Sequence, residues 1–275
     1  MFTEISMIGL FDSGYGGLTV LKPLLEKLPQ YDYIYLGDNA RAPYGSRTVE
    51  TVKKYSEQAI EYLFAHGATL VLVACNTATA TSIRHLQQKY LRDPNIIDKK
   101  ILGVVKPLVE FAVQNTRCNR VSIVGTKNTI LSNSYDIEIK NLNSDIEVFS
   151  QSCPLLVPFI EENWHKKPEA KSILKKYLRQ LKSKNTDVMI LGCTHYPLMH
   201  RDFVRYMGKK VKVPHPGEVV ADSLVDYLER HPEIEKLLSQ NRKREYLTTD
   251  CADRFKEFGN QNLSLGIDIV KKVQL

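Results

Sequence analysis

The strongest constraint on this chain is the regular exchange of short apolar runs for amphipathic stretches. Met7 to Phe11, Tyr33 to Leu36, Leu70 to Ala74, Ile101 to Val105, Val121 to Gly125, Ile146 to Phe149 and Val188 to Leu191 read as strands, most of them buried on both faces. Between them Val52, Tyr55, Ala59, Tyr62 and Leu63 recur at helical spacing, as do Ile173, Leu174, Tyr177, Leu178 and Leu181. Strands of this kind separated by helices predict an α/β fold with parallel sheets, because helices on both sides of a sheet bury both its faces. In such sheets the loops leaving the carboxyl ends of the strands carry the ligand site.

With 275 residues and 43% hydrophobic content, the chain can bury one large core or two modest ones. An internal echo favours two. The run from Leu70 to Cys75 and Thr77 is repeated about 118 residues later by the run from Val188 to Cys193 and Thr194. Ile8 to Ser13 and Ser122 to Thr126 form a second pair, each a strand ending in a small or hydroxyl residue. Duplication predicts two pseudosymmetric parallel-sheet α/β domains facing each other across a central cleft. Residues 1–104 plus 214–275 would form the first and 105–213 the second, with Cys75 and Cys193 at the cleft.

Composition excludes several classes. No apolar run approaches the ~20 residues that cross a bilayer, and Met1 to Met7 hold no basic region followed by an apolar stretch, so a soluble, cytoplasmic protein without membrane partners is expected. Cys75, Cys118, Cys153, Cys193 and Cys251 form an odd, scattered set with no C-x-x-C pair, which argues for reduced thiols over disulfides or a zinc ribbon. The formal charge of +7 and pI near 9.0 come from dispersed lysines in short clusters such as Lys166-Lys167 and Lys175-Lys176. Nucleic acid is therefore not expected as the main partner, while a basic field suits an anionic small molecule.

Four loops carry chemistry-bearing residues: Asp12-Ser13-Gly14-Tyr15-Gly16-Gly17, Gly37 to Gly45, Cys75-Asn76-Thr77, and Gly192-Cys193-Thr194-His195-Tyr196-Pro197. A cysteine between a buried strand and a helix meets backbone N–H groups and the helix dipole, which predicts a lowered thiol pKa at Cys75. Two thiols on facing halves can invert a stereocentre, one removing a proton while the other supplies one to the opposite face. Asp12 is expected beside Cys75, and His195 beside Cys193. Asp12 reads equally as a helix N-cap, and His195 as a loop histidine bonded to backbone.

Ser13, Asn76, Thr77 and Thr194 offer neutral donors for carboxylates. Gly14, Gly16 and Gly17 either admit main chain to a carboxylate or make a tight turn. Pro43-Tyr44-Gly45 is a turn whose aromatic could cover a ligand, and Arg41 and Arg47 read as solvated surface. Cys118, Cys153 and Cys251 read as structural. A Cys–His hydrolase built on Cys193 and His195 leaves Cys75 unused, and a non-catalytic sensor leaves both thiols unexplained. Metal binding by Asp12, Cys75, Cys193 and His195 matches no common structural-zinc spacing.

The four loops, together with Val124-Gly125-Thr126-Lys127-Asn128-Thr129-Ile130 and Cys153 to Glu161, closely resemble those of glutamate racemases, within the aspartate/glutamate racemase family, over residues 7 to 230. The resemblance implies racemisation of L-glutamate to D-glutamate for peptidoglycan, with no pyridoxal phosphate, no other cofactor and no metal. It implies Cys75 as the base toward D-glutamate and Cys193 toward L-glutamate, assisted by Asp12 and His195. Substrate contacts are implied for Asp12, Ser13, Tyr44, Gly45, Asn76, Thr77, Thr194 and His195, with Glu161 as a secondary carboxylate. Aspartate racemase is the alternative within the same chemistry, and a homodimer is the expected assembly.

Lys106 before Pro107 and His215 depart from the commonest pattern, where acids stand, and bear on regulation and interdomain contacts. The first strand is expected to begin near residue 7, so the longer N-terminal segment of relatives activated by a cell-wall precursor is not expected here.

Overall fold

The computed structural model describes residues 6–90 and 99–275, so the sequence reading of residues 1–5 lies outside the described part. Nine strands are present among the described residues: β1 (Met7–Asp12), β2 (Tyr33–Gly37), β3 (Ala68–Val73), β4 (Lys100–Gly103), β5 (Arg120–Gly125), β6 (Glu147–Ser152), β7 (Val188–Gly192), β8 (Arg244–Thr248) and β9 (Lys271–Lys272). They form two sheets with the orders β4-β3-β1-β2-β8-β9 and β6-β5-β7, and every pairing is parallel.

The expected pseudosymmetry is visible in these orders. β3-β1-β2 in the larger sheet corresponds to β7-β5-β6 in the smaller one. The place of β4 is marked in the smaller sheet by a single parallel bridge between Val188 and Lys212. The two echoes in the sequence are thus equivalent strands, β1 with β5 and β3 with β7.

Helices α1 (Leu18–Lys27), α2 (Val49–Ala65), α3 (Asn76–Tyr90) and α4 (Val105–Asn115) follow the first four strands. The second half contributes α5 (Lys127–Leu131), α6 (Ser134–Leu142), α7 (Leu156–Glu161), α8 (Pro168–Lys182) and α9 (His200–Met207). The chain then returns to the larger sheet through α10 (Pro216–Arg230), α11 (Pro232–Glu235) and α12 (Ala252–Leu263). No described helix is long and apolar enough to cross a membrane.

Local sequence explains these boundaries. Thr48 opens α2 by accepting the Thr51 N–H on its hydroxyl at 3.2 Å, and Thr126 opens α5 the same way from Thr129 at 3.3 Å. Asn133, at φ 53°, turns the chain between α5 and α6 in the left-handed region that asparagine tolerates. α8 starts with Pro168 at its first position and buries Ala170, Leu174, Leu178 and Leu181, one stripe at helical spacing. Each such leucine contributes roughly 2 kcal/mol by leaving water.

All seven strands anticipated from the apolar runs are present. β4 ends at Gly103, and Val105 already opens α4. β6 runs from Glu147 to Ser152, and its residues are exposed or half-buried, as befits a sheet edge rather than a strand buried on both faces.

Candidate active site

The register of the strands sets the site. In the larger sheet Asp12 lies opposite Gly37 and Phe11 opposite Val73, so the loops after β1, β2 and β3 leave from one edge. In the smaller sheet Gly125 lies opposite both Ser152 and Gly192, which aligns the loops after β5, β6 and β7. These two edges meet. Between them lies a cavity lined by Ser13, Tyr44, Gly45, Cys75, Asn76 and Thr77 from one half and Thr126, Val157, Glu161, Cys193, Thr194 and His195 from the other.

Cys75 ends the loop after β3, and its thiol pairs with Ser13 Oγ at 3.4 Å while accepting the Ala78 N–H at 3.4 Å. The helix-start N–H groups were expected to lower its pKa. Instead burial, with the Asp12 charge adding to it, pushes the thiol up to about 12, and the Ser13 and Ala78 bonds offset only part of this. Burial and the Asp12 charge thus favour the thiol form of Cys75.

Asp12 is fully buried beneath the cavity and does not line it. Its carboxylate accepts the Gly14 N–H at 2.9 Å and the Thr194 hydroxyl at 3.2 Å, the second contact coming from the opposite half. It is not the cap of α1, whose N-cap is Gly17. Burial raises the pKa of Asp12, opposed by the charge of His195 and by bonds from Gly14, Gly17 and Thr194. Asp12 reaches Cys75 through its field and through the neighbouring Ser13, since Cys75 Sγ bonds to Ser13 and Ala78.

His195 bonds to side chains rather than to backbone. Its Nε2–H donates to Glu161 Oε1 at 3.0 Å, which turns Nδ1 toward Cys193 Sγ at 3.9 Å. Burial disfavours the imidazolium, but the bonds and charges of Cys193 and Glu161 outweigh it and raise the His195 pKa well above its ordinary value. Burial likewise works against the Glu161 carboxylate, yet the His195 bond and charge hold its pKa below the usual range. The line Cys193–His195–Glu161 can pass a thiol proton to the imidazole and stabilise the resulting cation.

The neutral donors are fixed from behind. Tyr135 donates its hydroxyl to Asn76 Oδ1 at 2.6 Å, leaving the Asn76 amide hydrogens to face the cavity. Thr77 Oγ1 lies 2.9 Å from Thr126 Oγ1 and 3.2 Å from Thr129 Oγ1, a hydroxyl cluster that joins the two halves. Tyr44 donates to the buried carboxylate of Asp38, which also accepts Arg41 Nε at 2.7 Å. Arg41 thus serves Asp38 and stacks over Tyr55, while Arg47 stays exposed.

Gly45 packs so closely on Thr126 that a Cβ there would lie 2.6 Å from Thr126 Cβ. Sequence reasoning assigned no role to Tyr135, Asp38 or Thr126; Tyr135 and Thr126 meet the site across 59 and 49 residues, whereas Asp38 holds Tyr44 and Arg41 within its own loop. Asp38 and Thr126 had a signal, each standing in a segment that resembles the family.

The remaining cysteines lie elsewhere: Cys118 and Cys251 are exposed and Cys153 is buried, and all five are free thiols. Among the described residues no group of three or more His, Cys, Asp or Glu is placed to hold a metal ion. Lys106 is exposed on α4, 3.9 Å from Glu110. His215 is the N-cap residue of α10, and its buried Nδ1 has no hydrogen-bond partner.

Paired parallel-sheet units with a thiol at each facing edge, together with the relatives of this sequence, place the protein among the amino-acid racemases, a class of isomerases. The chain belongs to the Asp/Glu/Hydantoin racemase family, whose sequence pattern matches residues 18–224. It is 38% identical to a glutamate racemase of Geobacter metallireducens over 98% of this chain and 96% of that one. Its fold is similar to the crystal structure of glutamate racemase isoform RacE1 from Bacillus anthracis, with TM-score 0.89 and 31% identity over 99% and 98% of the two chains. It is also similar to glutamate racemase from Francisella tularensis in complex with D-glutamate, with TM-score 0.87 and 30% identity over the same shares.

Proposed function

We propose that this enzyme interconverts L- and D-glutamate by a two-base mechanism without a cofactor, and that the D-glutamate feeds peptidoglycan synthesis. The observation that carries the reading is that Cys75 and Cys193 come from opposite halves to one cavity, each with its own assistant. Toward D-glutamate, Cys193 passes its proton to His195 and the thiolate takes the Cα hydrogen. The protonated Cys75 then delivers its proton to the other face of the carbanion. The reverse direction exchanges these roles: the Cys75 thiol proton passes to Ser13 Oγ at 3.4 Å as the Ser13 hydroxyl gives up its own proton toward the neighbouring Asp12 carboxylate. A carboxyl group whose pKa is raised by burial is suited to that task.

Ser13, Tyr44, Gly45, Asn76, Thr77 and Thr194 would hold the two substrate carboxylates with neutral donors, and Glu161 would keep His195 oriented. The domains would be residues 1–104 plus 214–275 and residues 105–213. A cytoplasmic homodimer is the assembly proposed.

The test follows optical rotation of L-glutamate with metal-free, pyridoxal-free protein. Cys75→Ala and Cys193→Ala should each lose racemisation by about 10²–10⁴-fold. Cys75→Ala should still exchange the Cα hydrogen of L-glutamate with D2O, and Cys193→Ala that of D-glutamate. Undiminished racemisation by either variant would sink the two-thiol assignment, and faster turnover of L-aspartate would transfer it to the shorter diacid. The Cys193–His195–Glu161 line also has the arrangement of a thiol nucleophile with its base. Hydrolysis of an amide without racemisation would favour that second reading.

A further inference from the structure

The cavity between the sheet edges encloses about 30 Å³ of interior space, room for only a few waters. A five-carbon diacid enters only when its walls part. On one side those walls are the Pro43-Tyr44-Gly45 turn, on the other Thr126 at the start of α5 with Val157 and Glu161 of α7. Besides the threonine cluster inside the cavity, one side chain outside it ties these walls together. Asn128 on α5 donates its Nδ2 hydrogens to Tyr44 O at 3.0 Å and to Arg47 O.

We propose that Asn128 is the latch of the cleft, a positioning residue whose side-chain amide clamps the Tyr44–Arg47 turn onto α5 and thereby sets how tightly the cavity closes over its substrate. The chemistry suits this role. A primary amide has two donors, and here each meets a separate backbone carbonyl of the same turn. Asn128 is half-buried at the rim and Arg47 is exposed, so water can replace both bonds as the walls part. Such a bond is weak enough to break on every turnover. The turn it holds carries Tyr44 and Gly45, both on the cavity wall, so the latch acts on substrate without touching it.

The substrate arm of this inference rests on the racemase reading, but the latch itself can be tested without it, because the five cysteines are internal reporters. Wild type, Asn128→Ala and Asn128→Asp are treated with iodoacetamide at one fixed pH, and alkylation of each cysteine is followed by peptide mass spectrometry. Loosening the latch should speed modification of Cys75 and Cys193 by about fivefold or more, most in Asn128→Asp, whose carboxylate repels both carbonyls. Exposed Cys118 and Cys251 should not change, and neither should Cys153, which is buried and does not line the cavity. Unchanged rates at Cys75 and Cys193 would overturn the proposal. So would equal acceleration at Cys153, which would report general loosening of the fold.

In steady-state assays the variants should raise KM for both glutamate enantiomers more than they lower kcat. Faster alkylation in a protein that racemises nothing would leave the latch standing and remove the substrate. A kcat loss with unchanged KM and unchanged alkylation would remove the latch alone.

Discussion

Thr194 donates its hydroxyl hydrogen to Asp12 Oδ1 at 3.2 Å, linking the loop after β7 to the end of β1 through a carboxylate with no exposed surface. A second bond nearby runs in parallel, from Thr19 Oγ1 to Thr194 O at 2.7 Å. The floor of the cavity therefore joins the halves through buried bonds, whereas its rim is held by the half-buried side chain of Asn128.

Removing the floor contact should act on one proton transfer more than the other. Thr194→Val strips a donor from a buried carboxylate, at a cost of about 1–3 kcal/mol. L- and D-glutamate have equal free energies, so kcat/KM must fall equally in both directions. The asymmetry belongs in the isotope effect. With Cα-deuterated substrates, the effect should grow from D-glutamate, for which Cys75 is the proposed base, and shrink from L-glutamate. Equal changes from both enantiomers would count against a link between Asp12 and Cys75.

The raised pKa of Cys75 has its own consequence. The thiolate is the reactive form, so well below a pKa of about 12 the alkylation rate of Cys75 should rise about tenfold per pH unit. Peptide-resolved alkylation of the unliganded protein between pH 7 and 10 should show no plateau. Since the Asp12 charge is the second cause of the shift, Asp12→Asn should speed Cys75 alkylation at any fixed pH in this range. A plateau near pH 8 would mean that helix-start N–H groups dominate after all.

That outcome also marks what the sequence could convey. The apolar runs, their loops and the pairing of Cys75 with Cys193 were legible because they are local or repeated patterns. β8 escaped notice because Arg244-Glu245-Tyr246 opens it with charged residues, and β6 was misplaced because an edge strand carries Ser150 and Gln151 where a central strand carries apolar ones. The sign of the Cys75 shift depends on burial depth and on the distance to Asp12. Neither follows from a strand-then-helix pattern. Asn128 meets Tyr44 over a separation of 84 residues, beyond any local rule.

His215 should make the protein acid-sensitive. Burial lowers its pKa, as does the His200 charge, with Lys22 adding to them and Glu218 and Glu26 opposing. Above about pH 6.5 the residue is neutral in both folded and unfolded chains and contributes no pH dependence. As pH falls below that value the unfolded chain takes the proton first, so stability drops, by at most about 1.4 kcal/mol per pH unit, until the folded-state pKa is passed. His165, lowered by burial and by Lys166, adds a slope of the same sign. Urea denaturation from pH 7.5 to 5 should show this decline, and His215→Gln should flatten it. An unchanged slope would assign the acid sensitivity to other groups.

The turn after β1 yields the most stringent expectation, because Gly16 never enters the cavity yet fixes two residues that do. A Cβ at this position would lie 2.4 Å from Thr194 Oγ1 and 2.5 Å from His195 Nδ1, closer than van der Waals contact allows. In Gly16→Ala either the turn lifts away or both side chains shift. The first breaks the Gly14 contact to Asp12, and the second pulls Nδ1 from Cys193 and the Thr194 hydroxyl from Asp12. Overpacking of this kind costs about 1–3 kcal/mol, a loss of several degrees in Tm. The effect on rate should be larger, because a misplacement of about 1 Å at a proton-transfer pair costs on the order of a hundredfold. Gly16→Ala should therefore stay folded at 25 °C by circular dichroism while kcat falls at least about tenfold. Wild-type turnover in a folded Gly16→Ala protein would show that the cysteine and its imidazole are held by something other than this close approach of backbone to side chain.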